Sequence, residues 1–139
     1  VTGAAKRLGR AIAEDLAKAG FSVALHANGS LDQAEAVAVE LRAAGHTAIA
    51  LQADLAHISE IDHLIEAACA QLGPLGLLIN NASIFEQDTI QTATRQSWDR
   101  HIESNLRAPY VLIQHFARQA PQAETDSQGE PMARALVAS

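Results

Sequence analysis

Short apolar runs alternate with segments of helical period along the whole of this chain, and no other feature constrains its fold so tightly. Leu8, Ala11, Ile12, Leu16 and Ala19 repeat as one face of a helix over 8–19, and Gly20 follows as its stop. Residues 21–26 read as a short strand. Leu31, Ala34, Val37, Ala38 and Leu41 mark a second helix ending near Gly45, and residues 47–52 form a second strand. Ser59 is the expected N-cap of a third helix, whose face is Ile61, Leu64, Ile65, Ala68 and Leu72 and whose end is Gly73-Pro74. Residues 76–80 follow as a buried strand, apolar as a central parallel strand should be. A polar loop covers 83–95. A long helix then covers 96–118, with Trp98, Ile102, Leu106, Leu112, Ile113 and Phe116 expected to face inward, and residues 135–138 begin a further strand. Strands and helices alternating at these lengths predict right-handed βαβ units, hence an α/β fold with a doubly wound parallel sheet and helices on both faces.

The first nine residues bring chemistry to this frame. Val1-Thr2-Gly3-Ala4-Ala5-Lys6-Arg7-Leu8-Gly9 reads as the last residue of a strand, a small-residue turn and the first turn of a helix. Such a junction brings backbone N–H groups and the positive helix end close to an anion, usually a nucleotide phosphate. The amides around residues 3 to 9 are therefore expected to close over a diphosphate. Lys6 and Arg7 add two positive charges, and a cation at a helix start opposes the dipole unless an anion is present. The strand ending at Val1 belongs at the centre of the sheet, and only its last residue is here. The chain is thus expected to be a piece of a longer protein, with residues 1–139 forming part of one domain. Within it, 119–131 is rich in Gln, Glu, Asp, Ser and Pro without periodicity, and reads as a mobile insertion.

Composition removes several alternatives. A net charge of −6 with 16 acidic residues leaves no basic face for nucleic acid. No apolar run approaches the ~20 residues of a membrane helix. The single cysteine, Cys69, reads as a small core residue, and a cytoplasmic location fits it. The six histidines show no zinc-type spacing, so no metal site is expected; His57 and His63 read as solvated.

Four landmarks converge: Thr2-Gly3-x-x-x-Arg7-x-Gly9, Asp54-Leu55, Asn80-Asn81-Ala82, and Asn105 in the long helix. Together, in this order and spacing, they resemble the short-chain dehydrogenase/reductase family. The wording of residues 2–10, of Asn80-Asn81-Ala82-Ser83-Ile84-Phe85 and of Ala108-Pro109-Tyr110 is most similar to pteridine reductases. The resemblance implies a Rossmann-type fold with a nicotinamide dinucleotide across the carboxyl ends of the strands.

It also implies roles residue by residue. Gly3, Lys6, Arg7, Leu8 and Gly9 would form the phosphate turn. Arg7, where the family more often has glycine, would touch both cofactor and pterin. The segment His26-Ala27-Asn28-Gly29-Ser30 carries no carboxylate to bind a ribose 2′-OH, which favours NADP(H) over NAD. Ser30 matches a serine that holds the 2′-phosphate, while Gly29 replaces an arginine. Asp54 would take the adenine amino group, with Leu55 flanking the ring; an acidic residue stabilising a helix start is the plain alternative. Asn81, Ala82 and Ser83 would face the cofactor. Arg7, Ser83 and Phe85 would hold the substrate, Phe85 by stacking; the alternative is a loop phenylalanine packed on the core.

Asn105 is reached independently. Pro109, four residues on, has no N–H, so the Asn105 carbonyl loses its helical partner and the helix should bend there. In the family the same carbonyl anchors a water in a proton relay, which makes Asn105 the candidate catalytic residue. The family's Tyr-x-x-x-Lys is absent: Tyr110, the only tyrosine, is followed by Gln114, and the only lysines are Lys6 and Lys18. Tyr110 reads as a packing residue and His115 as facing a neighbouring subunit. The expected function is NADPH-dependent reduction of a pterin-like small molecule by a homo-oligomer, a tetramer by family likeness. The alternatives are a reductase of a ketone, sugar or acyl carbonyl, and a non-catalytic dinucleotide-binding protein.

Overall fold

A computed structural model describes residues 1–132 and 135–139. The described elements are α1 (Arg7–Lys18), β1 (Val23–Ala27), α2 (Leu31–Ala43), β2 (Ala48–Gln52), α3 (Ile58–Leu72), β3 (Leu77–Ile79), α4 (Arg95–Ile102), a π-helical turn (Glu103–Arg107), α5 (Ala108–Gln119), β4 (Glu124–Thr125), β5 (Pro131–Met132) and β6 (Leu136–Ala138). β1 pairs with β2 in parallel, Val23 opposite Ala48 and Ala27 opposite Gln52. β3 pairs with β6 in parallel, Leu77 opposite Leu136. The first residues of the chain join the two pairs. Thr2 N–H donates to the Ile79 carbonyl at 2.9 Å, and His26 N–H donates to the Val1 carbonyl at 3.0 Å. The spatial order is therefore β2, β1, residues 1–2, β3, β6, with the start of the chain at the centre, as the alternation predicts.

Alternate strand residues feed two cores, one on each face. Val23, Leu25 and Ala27 of β1 and Ala48 of β2 belong with Ala13 and Ala17 of α1 and Val37 of α2. The small residues let α1 and α2 lie close to the strands. Leu78 of β3 joins Ile61, Leu64 and Ile65 of α3 and Leu112 and Phe116 of α5 in the second core, with Leu51 of β2 packed against it. Each fully buried aliphatic side chain of this kind contributes roughly 1.5–3 kcal/mol.

Several expectations need correction. Ser59 does not cap α3; His57 is the N-cap and forms no side-chain cap bond. Two carboxylates serve the entry instead: Asp54 accepts from Ala56 N–H at 2.9 Å and Glu60 accepts from Asp54 N–H at 2.7 Å. In the long helix only Leu112 and Phe116 of the six apolar residues are buried; Trp98, Ile102, Leu106 and Ile113 are exposed. The π turn is the reason. Ala108 N–H donates to the Glu103 carbonyl, five residues back. The widened turn shifts the phase of everything beyond it, so a period counted straight through mixes two faces. Pro109 lies in the first turn of α5, where its missing N–H does least harm. Tyr110 is exposed and accepts from Gln114 Nε2, so it is not a packing residue. His115 faces α3 and lies 2.9 Å from Asp62. Cys69 is half-buried and its thiol donates to Gln119 Oε1. The 119–131 segment is not wholly irregular: Gln119 ends α5, and β4 and β5 pair as a short antiparallel hairpin. Its turn is held by Asp126, which accepts from the N–H groups of Gln128 and Glu130.

Candidate functional site

At the carboxyl ends of the strands lies a cleft of about 530 Å³. Its lining contains Gly3, Lys6, Arg7, Leu8 and Gly9 from the turn into α1, and Ser30 from the start of α2. Asp54 and Leu55 come from the segment after β2, and Asn81, Ala82 and Ser83 from the segment after β3. These are all the residues that the sequence assigned to a cofactor, gathered from four separate loops. The lining also includes His26, Ile84 and Ser104, which the sequence did not assign.

The turn is built around two glycines. Gly3 has φ +65°, and a Cβ on it would lie 3.0 Å from the Ala82 Cα. A Cβ on Gly9 would lie 2.2 Å from the Gly3 carbonyl oxygen and 2.5 Å from Asn81 Nδ2. Only a bare backbone lets α1 sit this near the turn. Arg7 adopts φ +50°, a left-handed conformation that L side chains avoid. Lys6, the N-cap of α1, makes no side-chain cap bond. The N–H groups of Arg7, Leu8 and Gly9 have no intrahelical acceptor, as in any first helical turn.

Thr2 and Asn81 hold the turn from below. Thr2 Oγ1 accepts from the N–H groups of Asn81 at 3.0 Å and Ala82 at 2.9 Å. Asn81 Nδ2 donates to the Thr2 carbonyl at 2.9 Å. The Asn81 side chain thus serves the architecture of the turn. Not every amide of the 3–9 stretch faces the cleft free: Gly3 N–H donates to His26 Nδ1 and Ala4 N–H to the His26 carbonyl. The diphosphate expectation narrows accordingly to the first turn of α1.

At the second wall, Ser30 is the N-cap of α2 but its hydroxyl makes no cap bond. Among the described residues, nothing lies within 4 Å of where a Gly29 Cβ would be. Asp54 Oδ2 lies 3.3 Å from His57 Nδ1. At the third, Asn105 grips Ile84 by both its backbone groups: Oδ1 accepts the Ile84 N–H and Nδ2 donates to the Ile84 carbonyl, each at 2.9 Å. His101 Nε2 accepts from Glu86 N–H at 3.0 Å, and Arg100 pairs with Glu86. Asn105 and Phe85 themselves are outside the cleft lining. Phe85 follows Ile84 and is 87 % exposed, so it is not packed on the core. His26 was missed because a histidine in an apolar strand reads as filler; its polarity at a buried position was the available signal.

A dinucleotide fits these residues: bare helix N–H groups, a cradle that a Cβ would fill, two cations, and a free hydroxyl at a second helix start. A short chain dehydrogenase model matches residues 1–129. A 3-oxoacyl-[acyl-carrier-protein] reductase FabG of Staphylococcus epidermidis is 38% identical over 119 residues, covering 86% of this chain and 49% of that protein. Among solved structures, FolM alternative dihydrofolate reductase 1 from Brucella suis in complex with NADP is 40% identical, with a TM-score of 0.83 over 90% of this chain and 51% of that one. A short chain dehydrogenase from Burkholderia cenocepacia in complex with NADP is 34% identical, with a TM-score of 0.85 over 88% of this chain and 50% of that one. The chain thus spans about half the length of the relatives it matches. With the matched family model, the Rossmann-type order of strands and the glycine-lined cleft in agreement, the chain belongs to the short-chain dehydrogenase family.

Proposed function

We propose that the cleft binds NADP(H) and that the protein is a reductase delivering hydride from NADPH to a pterin-like substrate. The observation that carries the reading is the convergence of the turn into α1, the Ser30 start of α2, and Asp54 on one cleft with no carboxylate at the end of β1. The N–H groups of Arg7, Leu8 and Gly9, with the Lys6 and Arg7 side chains, hold the diphosphate. Ser30 and the first turn of α2 receive the 2′-phosphate, and Asp54 receives the adenine amino group with Leu55 beside the ring. Asn81, Ala82 and Ser83 border the nicotinamide end. The bound dinucleotide supplies the hydride. Arg7, Ser83 and the exposed Phe85 ring hold the flat heterocycle, and the Asn105 clamp on Ile84 sets the backbone that carries Ser83 and Phe85. The Asn105 carbonyl, facing a proline without an N–H, remains the candidate for a proton relay. No Tyr-x-x-x-Lys occurs within residues 1–139.

The NADP-bound FolM structure supports the pterin reading. The FabG relatives favour a second one, reduction of an acyl ketone. Titration of the purified protein with NADPH and NADH by nicotinamide fluorescence tests the cofactor. Binding without preference for NADPH removes the 2′-phosphate assignment, and no binding removes the whole reading. NADPH oxidation with dihydrobiopterin against an acetoacetyl thioester separates the substrates, and Phe85→Ala should slow only the first. Nucleotide binding by the protein expressed from its complete gene without turnover of either removes both substrate readings. Assembly as a homotetramer belongs to the same proposal, and sedimentation of the protein expressed from its complete gene reports it.

A further inference from the structure

We propose that His26 is a positioning residue that locks the dinucleotide-binding turn to the opposite wall of the cleft through one neutral imidazole ring. The inference rests on the dinucleotide reading above and assigns a new residue to that site.

His26 lies on β1 and is 4 % exposed, yet it lines the cleft. Three of its groups hold the first residues of the chain. Its N–H donates to the Val1 carbonyl at 3.0 Å, its carbonyl accepts from Ala4 N–H at 2.8 Å, and Nδ1 stands 3.2 Å from Gly3 N. The other ring nitrogen, Nε2, lies 2.9 Å from the Ala53 carbonyl oxygen, next to Asp54. The two backbone partners dictate the proton's place. A carbonyl oxygen can only accept, so Nε2 carries the hydrogen; an amide N–H can only donate, so Nδ1 is bare. One tautomer satisfies both contacts, and burial of the ring keeps it uncharged.

The consequence reaches the ligand. Gly3 begins the turn that leads into α1, and Ala53 precedes the carboxylate assigned to the adenine. The ring therefore sets the separation between the diphosphate end and the adenine wall. It also engages the Gly3 amide, while the His26 carbonyl engages that of Ala4. Anion recognition then falls to the first turn of α1 and the two cations. An apolar side chain in its place would leave a part-buried N–H and a buried carbonyl without partners.

Three variants separate the two contacts. His26→Asn keeps an acceptor near the Nδ1 position and gives up the Ala53 contact. His26→Gln reaches the Ala53 carbonyl and gives up the Gly3 contact. His26→Leu loses both. The expected dissociation constants for NADPH rise by about tenfold for the asparagine and glutamine variants, each of which releases one end of the clamp through the loss of one hydrogen-bond partner, and by more for the leucine variant, which releases both. KM for NADPH follows this order in the protein expressed from its complete gene, while kcat at saturating NADPH and KM for the second substrate stay within about twofold. If the leucine variant does not fold, the asparagine and glutamine variants decide alone. Equal NADPH affinity in asparagine, glutamine and wild-type proteins overturns the proposal. So does an asparagine or a glutamine variant that binds NADPH as tightly as wild type, because each releases one end of the clamp. Nitrogen-15 shifts of the imidazole give an independent reading: an Nε2–H ring near neutral pH is expected, and an Nδ1–H or charged ring overturns the clamp. If wild-type protein shows that ring but binds no NADPH, the dinucleotide reading fails and the His26 assignment with it; binding with the wrong tautomer removes only the assignment.

Discussion

Arg7 combines a left-handed backbone at φ +50° with a side chain at the mouth of the cleft. A left-handed conformation costs a side-chain-bearing residue about 1–2 kcal/mol, which glycine avoids. Arg7→Gly is therefore expected to raise unfolding stability by about 1 kcal/mol in chemical denaturation, while NADPH affinity falls. Loss of both stability and affinity would show that the guanidinium serves the fold rather than the ligand. His26 gives stability a pH dependence of definite sign. Burial holds its pKa below the ordinary 6.5, and the Ala53 carbonyl and Asp54 act against it. Above 6.5 the ring is neutral folded and unfolded, and its contribution is complete. Below 6.5 the unfolded chain takes up a proton that the folded one refuses, so stability falls until the depressed folded value is passed. The difference between wild-type and His26→Asn protein in denaturation midpoints across this range measures it, and a flat difference contradicts it. The cleft residues Gly3 and Gly9 were legible because their residue types and spacing carry their physics locally, whereas Asp54 and Asn81 were reached through the resemblance to the family. His26 was not legible, since its partners, Gly3 and Ala53, are 23 and 27 residues away.

At the scale of elements, periodicity placed the helices and strands to within a few residues. It failed inside the long helix, where the π turn at Glu103–Arg107 shifts the phase. Leu112→Ala should cost about 2–5 kcal/mol in thermal or chemical unfolding, because that side chain is wholly buried against α3. Leu106→Ala, one residue before the end of the π turn and exposed, should stay within about 0.5 kcal/mol. The reverse order would restore the inward face expected from an uninterrupted period. The entry to α3 was misread for a related reason. A serine in sequence looks like a cap, but Asp54 and Glu60 are near enough in space to take the backbone donors there. The β4–β5 hairpin is only two residue pairs long and mostly exposed. Limited proteolysis is expected to cut within 120–132 before any helix, and first cleavage elsewhere would contradict mobility of this segment.

At the scale of the whole molecule, the cleft exists because residues 1–2 stand between β1 and β3, so the loops after neighbouring strands part on either side of the centre. A ligand spanning Gly9, Ser30, Asp54 and Ala82 ties both cores together. NADPH at a hundredfold excess over its dissociation constant should stabilise the protein by about 2.7 kcal/mol, read as a rise in Tm, with a smaller rise for NADH at equal concentration. Equal shifts would remove the role of Ser30 and α2 in discriminating the two. The amino-acid sequence alone determined the βαβ order and the glycine turn, because helical period, strand period and small-residue turns are encoded over short stretches of chain; the further residues of the cleft came from the resemblance to the family. Only the tertiary structure decided which amides of the turn stay free, which face of α4 and α5 is buried, and what Asn105 and His26 hold. Those outcomes depend on groups 21 or more residues apart in the chain, where no local pattern records the pairing.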